Sequence, residues 1–117
     1  MKLSDIVKIL DGEMLCHDVD EDPEISSACG SDLMSDVMAF VKNGSMLLTG
    51  LVNPQVIRTA EMMDIRLIVF VRGKKPDSSV LDMAIQKSVT VVCTKHSMFV
   101  ACGLLYKNGL TEGGNHT

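Results

Sequence analysis

The residues that decide the fold run from Gly30 to Gly73: Gly30-Ser31-Asp32, then Leu47-Leu48-Thr49-Gly50, then Asn53-Pro54, then Leu67-Ile68-Val69-Phe70-Val71. An amphipathic helical pattern separates the first two pieces, and a second one follows Asn53-Pro54. A strand signal is thus followed twice by a turn and a helix, the sequence form of a βαβ unit. The first helix starts at Ser31 or Asp32 and carries the stripe Met34, Val37, Met38 and Val41, closed by Asn43-Gly44. Asn53 before Pro54 is a strong start for the second, because Asn caps well and Pro suits the first helical position. That helix turns Val56, Ile57, Ala60 and Met63 inward, and the chain leaves it at Asp64.

The same alternation continues outward. Leu67 to Val71 is apolar on both faces, as a central parallel strand must be when helices cover both sides. Arg72-Gly73-Lys74-Lys75-Pro76 is a turn, and Asp77 or Ser78 caps a helix with Val80, Leu81, Ala84 and Ile85 inward. Val89 to Cys93 is another two-sided strand. Ser97 caps a helix over 98–106 that is apolar nearly all round, which predicts a largely buried position, and Asn108-Gly109 closes it. On the amino-terminal side, Ser4 caps a short helix over 5–10 that ends at Gly12; strands are expected over 13–16 and 25–29. About five strands and five helices result, giving an α/β fold whose mainly parallel sheet carries helices on both faces. The domain spans 1–110, with 111–117 expected to be a disordered tail.

Composition narrows the function. The chain has 117 residues, a hydrophobic fraction of 46% and a formal charge of −4. That length suits one domain with a real core. A slightly acidic chain lacks the concentrated positive surface that nucleic-acid binding needs, so no nucleic-acid partner is expected. The apolar runs are too short to span a membrane, and Met1-Lys2-Leu3-Ser4-Asp5 does not open a signal peptide. Cys16, Cys29, Cys93 and Cys102 show no disulfide-framework spacing, which fits reduced thiols in the cytoplasm.

The segment 17–24 holds Asp18, Asp20, Glu21, Asp22 and Glu24 but lacks the glycine of a calcium loop, so it reads as a solvated acidic loop. Cys16-His17 and Cys93-Thr94-Lys95-His96 would form a metal site only if the strand ends met, and no metal or cofactor is expected. No nucleophile elbow is present. Gly73-Lys74-Lys75 is no phosphate-binding P-loop, because Pro76 stands where a hydroxyl residue should follow. What remains is a cationic turn. Thr49, Gly50, Arg72, Lys74, Lys75, Thr94 and Lys95 would share the carboxyl edge of a parallel sheet, where helix amino termini attract anions.

The pattern Gly30-Ser31-Asp32, Leu48-Thr49-Gly50 and Asn53-Pro54 resembles the DRTGG domain family over residues 1–110. Asp32 stands at the motif Asp, with Leu33 in place of the Arg. Thr49 and Gly50 match Thr-Gly, with Leu51 in place of the second Gly. The resemblance implies a non-enzymatic regulatory or dimerisation module, here standing alone, similar in fold to the amino-terminal domain of HPr kinase/phosphorylase. It also places Asp32 and Asn53 among the candidate ligand residues with those of the cationic edge. The alternative is a sensor of an anionic or nucleotide-like metabolite. Surplus apolar surface at Leu51, Val52, Phe99, Leu105 and Tyr106 predicts a homodimer interface.

Overall fold

The computed structural model describes residues 1–17, 22–41 and 45–113. Its elements are α1 (Leu3–Ile9), β1 (Glu13–Cys16), β2 (Ala28–Gly30), α2 (Met34–Phe40), β3 (Met46–Thr49), α3 (Pro54–Met62), β4 (Leu67–Phe70), α4 (Ser78–Gln86), β5 (Thr90–Cys93) and α5 (Met98–Lys107). The sheet order is β1-β5-β4-β3-β2. β2 through β5 pair in parallel, and β1 alone runs antiparallel, against β5.

The sheet grows steadily from β2 to β5, and a right-handed crossover fixes the helix face for a given direction of travel. α2, α3 and α4 accordingly cover one face, where Leu47, Ile68, Phe70, Val91 and Cys93 meet Val37, Ile57 and Val80. The other face packs Met46, Leu48, Leu67, Val69 and Val92 against Leu3 and Ile6 of α1 and Ala101 and Leu105 of α5. Every residue of β3, β4 and β5 is buried, as the two-sided apolar runs require.

Several local expectations give way to tertiary contacts. α1 starts two residues early, and Ser4 does not cap it. Its amide and hydroxyl instead donate to the Asp22 carboxylate at 2.8 and 2.5 Å. Asp22 and Glu24 therefore brace the amino-terminal segment, with Glu24 also accepting from the Met1 amine, rather than merely facing solvent. Residues 18–21 of that acidic segment, and the Asn43-Gly44 helix stop, lie outside the described residues. The strand expected over 25–29 is confined to Ala28–Gly30, because Ile25 is buried beside Met1 and its amide donates to the Met1 carbonyl. Met38 and Ile85 lie at the margin of the core, 37% and 52% exposed, since the helical stripes are narrower than the periodicity implied.

Four helices close on a left-handed residue, and three of these are not glycine: Asp11, Asp64 and Ser88, with Gly109 the fourth. In each case the next amide bonds back into the helix, as in Ile65 to Ala60, Val89 to Ala84 and Leu110 to Leu105. Burial of Ile65, Val89 and Leu110 is the hydrophobic half of that closing motif. Past α5 the chain returns to the sheet, where the Ala28 amide donates to the Glu112 carbonyl at 3.0 Å. Ordered contacts thus extend beyond the expected start of the tail at Thr111, and 114–117 lie outside the described residues.

Candidate anion site at the carboxyl edge of the sheet

Asp32 stands two residues past the end of β2, ahead of α2. Leu33 occupies the cap position of α2, so Asp32 does not cap that helix. Its Oδ1 instead accepts from the Thr49 hydroxyl at 3.0 Å and from the Gly50 amide at 2.7 Å. The Thr49 oxygen in turn accepts from the Leu51 amide at 3.1 Å. One carboxylate thereby locks the turns after two neighbouring strands. The Gly50 amide, with the Thr49 hydroxyl and the nearby charges of Arg72 and Lys74, holds the Asp32 carboxyl below the ordinary aspartate range, against a smaller opposing effect of burial.

Arg72 approaches from the next turn. Its backbone is left-handed, at φ 62°, and Gly73 follows at φ 70°. The loop after β4 heads for α4 and the loop after β5 for α5, on opposite faces. Two bonds tie them together, from the Arg72 amide to the His96 carbonyl at 2.7 Å and from the Gly73 amide to the Thr94 carbonyl at 2.9 Å. The Arg72 guanidinium lies across Gly50: a β-carbon there would overlap Nη2 and stand 3.2 Å from Cζ. Gly50 is therefore a residue of close approach. Among the described residues Arg72, Lys74 and Lys95 enter no ion pair.

The other predicted edge residues separate from this group. Thr94 is 2% exposed, and its hydroxyl donates to the Leu10 carbonyl at 2.7 Å, so it anchors α1 and does not face a ligand. Lys75 pairs with Glu13 at 2.9 Å; that contact lowers the Glu13 carboxyl and raises the Lys75 ammonium. Lys95 is exposed near Glu13, away from Asp32. The Asn53 side chain accepts from the Val56 amide and serves as the α3 cap. The edge thus brings Asp32, Thr49, Gly50, Arg72 and Lys74 together, with Thr49 and Gly50 buried beneath Asp32 and holding it in place, and leaves Lys75, Thr94, Lys95 and Asn53 in other roles.

The metal alternative fails on topology. Antiparallel pairing sets Glu13 beside Cys93 and Cys16 beside Val91, so Cys16-His17 and Cys93-His96 lie at opposite ends of β5. No cluster of ligating side chains able to hold a metal occurs among the described residues. Of the apolar interface candidates, Phe99 and Tyr106 are exposed, at 86% and 64%, and Val100 joins them. Leu105 is buried in the core and cannot meet a partner, while Leu51 and Val52 are half-buried against the α2–α3 side of the core. α5 is therefore not largely buried: Ala101 and Leu105 are its fully buried residues, with Met98, Cys102 and Leu104 partly buried beside them. No helix among the described residues is long and apolar enough to cross a membrane.

Comparison with known proteins places this architecture. No curated protein matches the sequence. Among solved structures, the chain is similar to the CBS and DRTGG domains of the regulatory region of a Clostridium perfringens pyrophosphatase, a crystal structure complexed with the activator diadenosine tetraphosphate. The TM-score is 0.72 at 17% identity, over 88% of this chain and 45% of that one, so what is shared is a fold, and this chain spans less than half of its neighbour. The DRTGG domain family model matches residues 5–107, which include Asp32 and the Thr49 and Gly50 groups bonded to it. The chain belongs to the DRTGG domain family.

Proposed function

We propose that this protein is a non-enzymatic regulatory module of the cytoplasm that acts as a homodimer. Family membership supports the regulatory half of this reading, since the DRTGG domain of the structural neighbour belongs to a regulatory region. The observation that carries the dimer is Phe99, a phenyl ring 86% exposed on a helix whose opposite side is core. Large exposed apolar groups in a cluster mark interaction surfaces, and identical chains pair most often about a two-fold axis. Light scattering across micromolar concentrations tests it. A mass that rises to twice the monomer supports the proposal, and a constant monomer mass refutes it.

A second reading has its own support. Arg72 is held in a left-handed conformation with its guanidinium across Gly50, beside Asp32 and Lys74. Strained backbone persists where surrounding structure over-determines it, and such positions gather at binding sites. A guanidinium and an ammonium next to a hydroxyl-accepting carboxylate suit an anionic, nucleotide-like metabolite. The neighbour's nucleotide activator is of that class. Thermal-shift measurements with nucleotides and phosphorylated metabolites test this reading, because a ligand of the native state raises Tm by mass action.

A further inference from the structure

α5 departs from what its own fold needs at one position. Gly103 sits in the middle of the helix, is exposed, and has open space where a β-carbon would be. A glycine inside a helix lowers helix stability, and no close contact within the protein requires this one. Phe99 lies one turn before it and Tyr106 one turn after, on the same side of the helix. The chain contains three Phe, one Tyr and no Trp, so this strip holds two of its four aromatic side chains. Close beside the strip is a cleft of about 160 Å³ between the β2 edge and the second half of α5. Apolar residues, among them Leu48, Cys102, Leu105 and Tyr106, line it together with Thr111, Glu112 and Gly113.

We propose that two copies of this chain pair through α5 in antiparallel fashion, crossing at Gly103, with Phe99 of each copy seated in the cleft of the other. The inference rests on the homodimer reading above and names its surface. A two-fold axis through Gly103 brings Phe99 level with Tyr106 of the second copy, because the two residues lie nearly the same distance on either side of the crossing, about 6 and 4.5 Å along the axis. Knob and cleft are therefore exchanged by the same rotation, the condition for an isologous interface. The cleft is of a size to take a phenyl ring, since a cavity of about 150 Å³ accommodates benzene. Missing bulk at Gly103 lets the two backbones approach. The single charge on α5, Lys107, sits at its carboxyl end. Antiparallel pairing keeps the two ammonium groups apart, whereas parallel pairing would set them side by side.

One helix pair is a small contact, so association is expected in the micromolar range. The experiment compares wild type, Phe99→Ser and Gly103→Gln by light scattering over that range, with circular dichroism as the check on folding. Both positions are exposed, so each variant is expected to keep its fold. Gly103→Gln also improves helix propensity, so dilute protein melts no lower than wild type while dimerisation suffers. The expected result is a wild-type dimer whose dissociation constant rises at least about tenfold in each variant, as loss of a central anchor does. A wild-type dimer indifferent to both substitutions overturns this interface and leaves the dimer reading intact. A wild-type monomer at every concentration overturns both.

Discussion

Gly50 and Arg72 fit together as socket and cover: the guanidinium of Arg72 occupies the space a side chain at position 50 would need. The contact joins the turn after β3 to the turn after β4, next to the carboxylate of Asp32. It sets the geometry of the candidate anion site, and it shows which substitutions separate binding from folding.

Gly50→Ala places a methyl group against the flexible end of Arg72, which can swing away. The expected change in stability is within about 1 kcal/mol, because Gly50 has no positive φ to defend. Arg72→Ala is expected to be similarly mild. If the edge binds phosphate groups, both variants lose the rise in Tm that nucleotides give to the wild type. A nucleotide shift that survives in both variants removes Arg72 from the site.

Asp32→Ala removes two hydrogen bonds to a charged acceptor, those from Thr49 and Gly50. Such bonds are worth more than neutral ones, but Asp32 is exposed and the effect is discounted to about 1 kcal/mol. Asp32→Asn retains an acceptor oxygen and loses less. Urea denaturation of the three proteins orders them wild type, Asn, Ala.

Acid sensitivity follows from the same carboxylates. Asp32 is lowered chiefly by the Gly50 amide, Asp22 by the Ser4 hydroxyl, Asp77 by the Ser79 hydroxyl and Glu13 by Lys75. Their folded-state values lie below the ordinary 3.8 for Asp and 4.5 for Glu. The stabilisation is therefore complete above those values and is lost as the pH falls through the lower, folded-state ones. Urea midpoints measured from about pH 7 to about pH 3 should stay level at first and then drop, with a shallower fall for Asp32→Asn.

Thr94→Val deletes a buried hydroxyl that donates to the Leu10 carbonyl and accepts from the His96 amide. Leaving those groups unpaired costs about 1–3 kcal/mol. Because the hydroxyl faces α1, nucleotide-dependent Tm shifts are expected to be unchanged apart from the lower baseline. Loss of the nucleotide response alone would return Thr94 to the site.

Ser88→Gly relieves a left-handed residue that carries a side chain, at φ 58° after α4. The gain is expected to be about 0.5–1 kcal/mol, the penalty of roughly 1–2 kcal/mol that L-residues meet there less glycine's greater loss of backbone freedom on folding. A thermal melt decides it, and an unchanged or lowered Tm would mean that the serine side chain contributes to the turn.

The α/β alternation was legible because its signals are local. Asn53-Pro54 caps α3 from adjacent residues, and the runs at Leu67–Phe70 and Thr90–Cys93 can be little else than strands buried on both faces. The Asp32, Thr49 and Gly50 grouping was legible from the family pattern. Elsewhere a distant partner overrides the local signal. Ser4 and Asp32 both have cap chemistry, but each found a better partner across the fold, in Asp22 and in Thr49 with Gly50. Thr94 sits among edge residues in the sequence, and only strand orientation reveals that it points toward Leu10. Arg72 was legible as a cation, whereas its seat on Gly50 depends on the geometry of two separate turns.

The antiparallel strand has a consequence for synthesis. β1 pairs with β5, so Glu13 meets Cys93 from 80 residues away, while β3, β4 and β5 each join the strand made just before. A ribosome emits β1 first, yet its partner leaves the exit tunnel after every other strand. The nascent chain can lay down β2, β3 and β4 in turn, with residues 13–16 waiting for an edge that does not yet exist. Closing so long a loop is the slow, entropically costly event. A translational stall between β4 and β5 would therefore hold a parallel half-sheet with one raw flank, the form of this protein most exposed to mispairing.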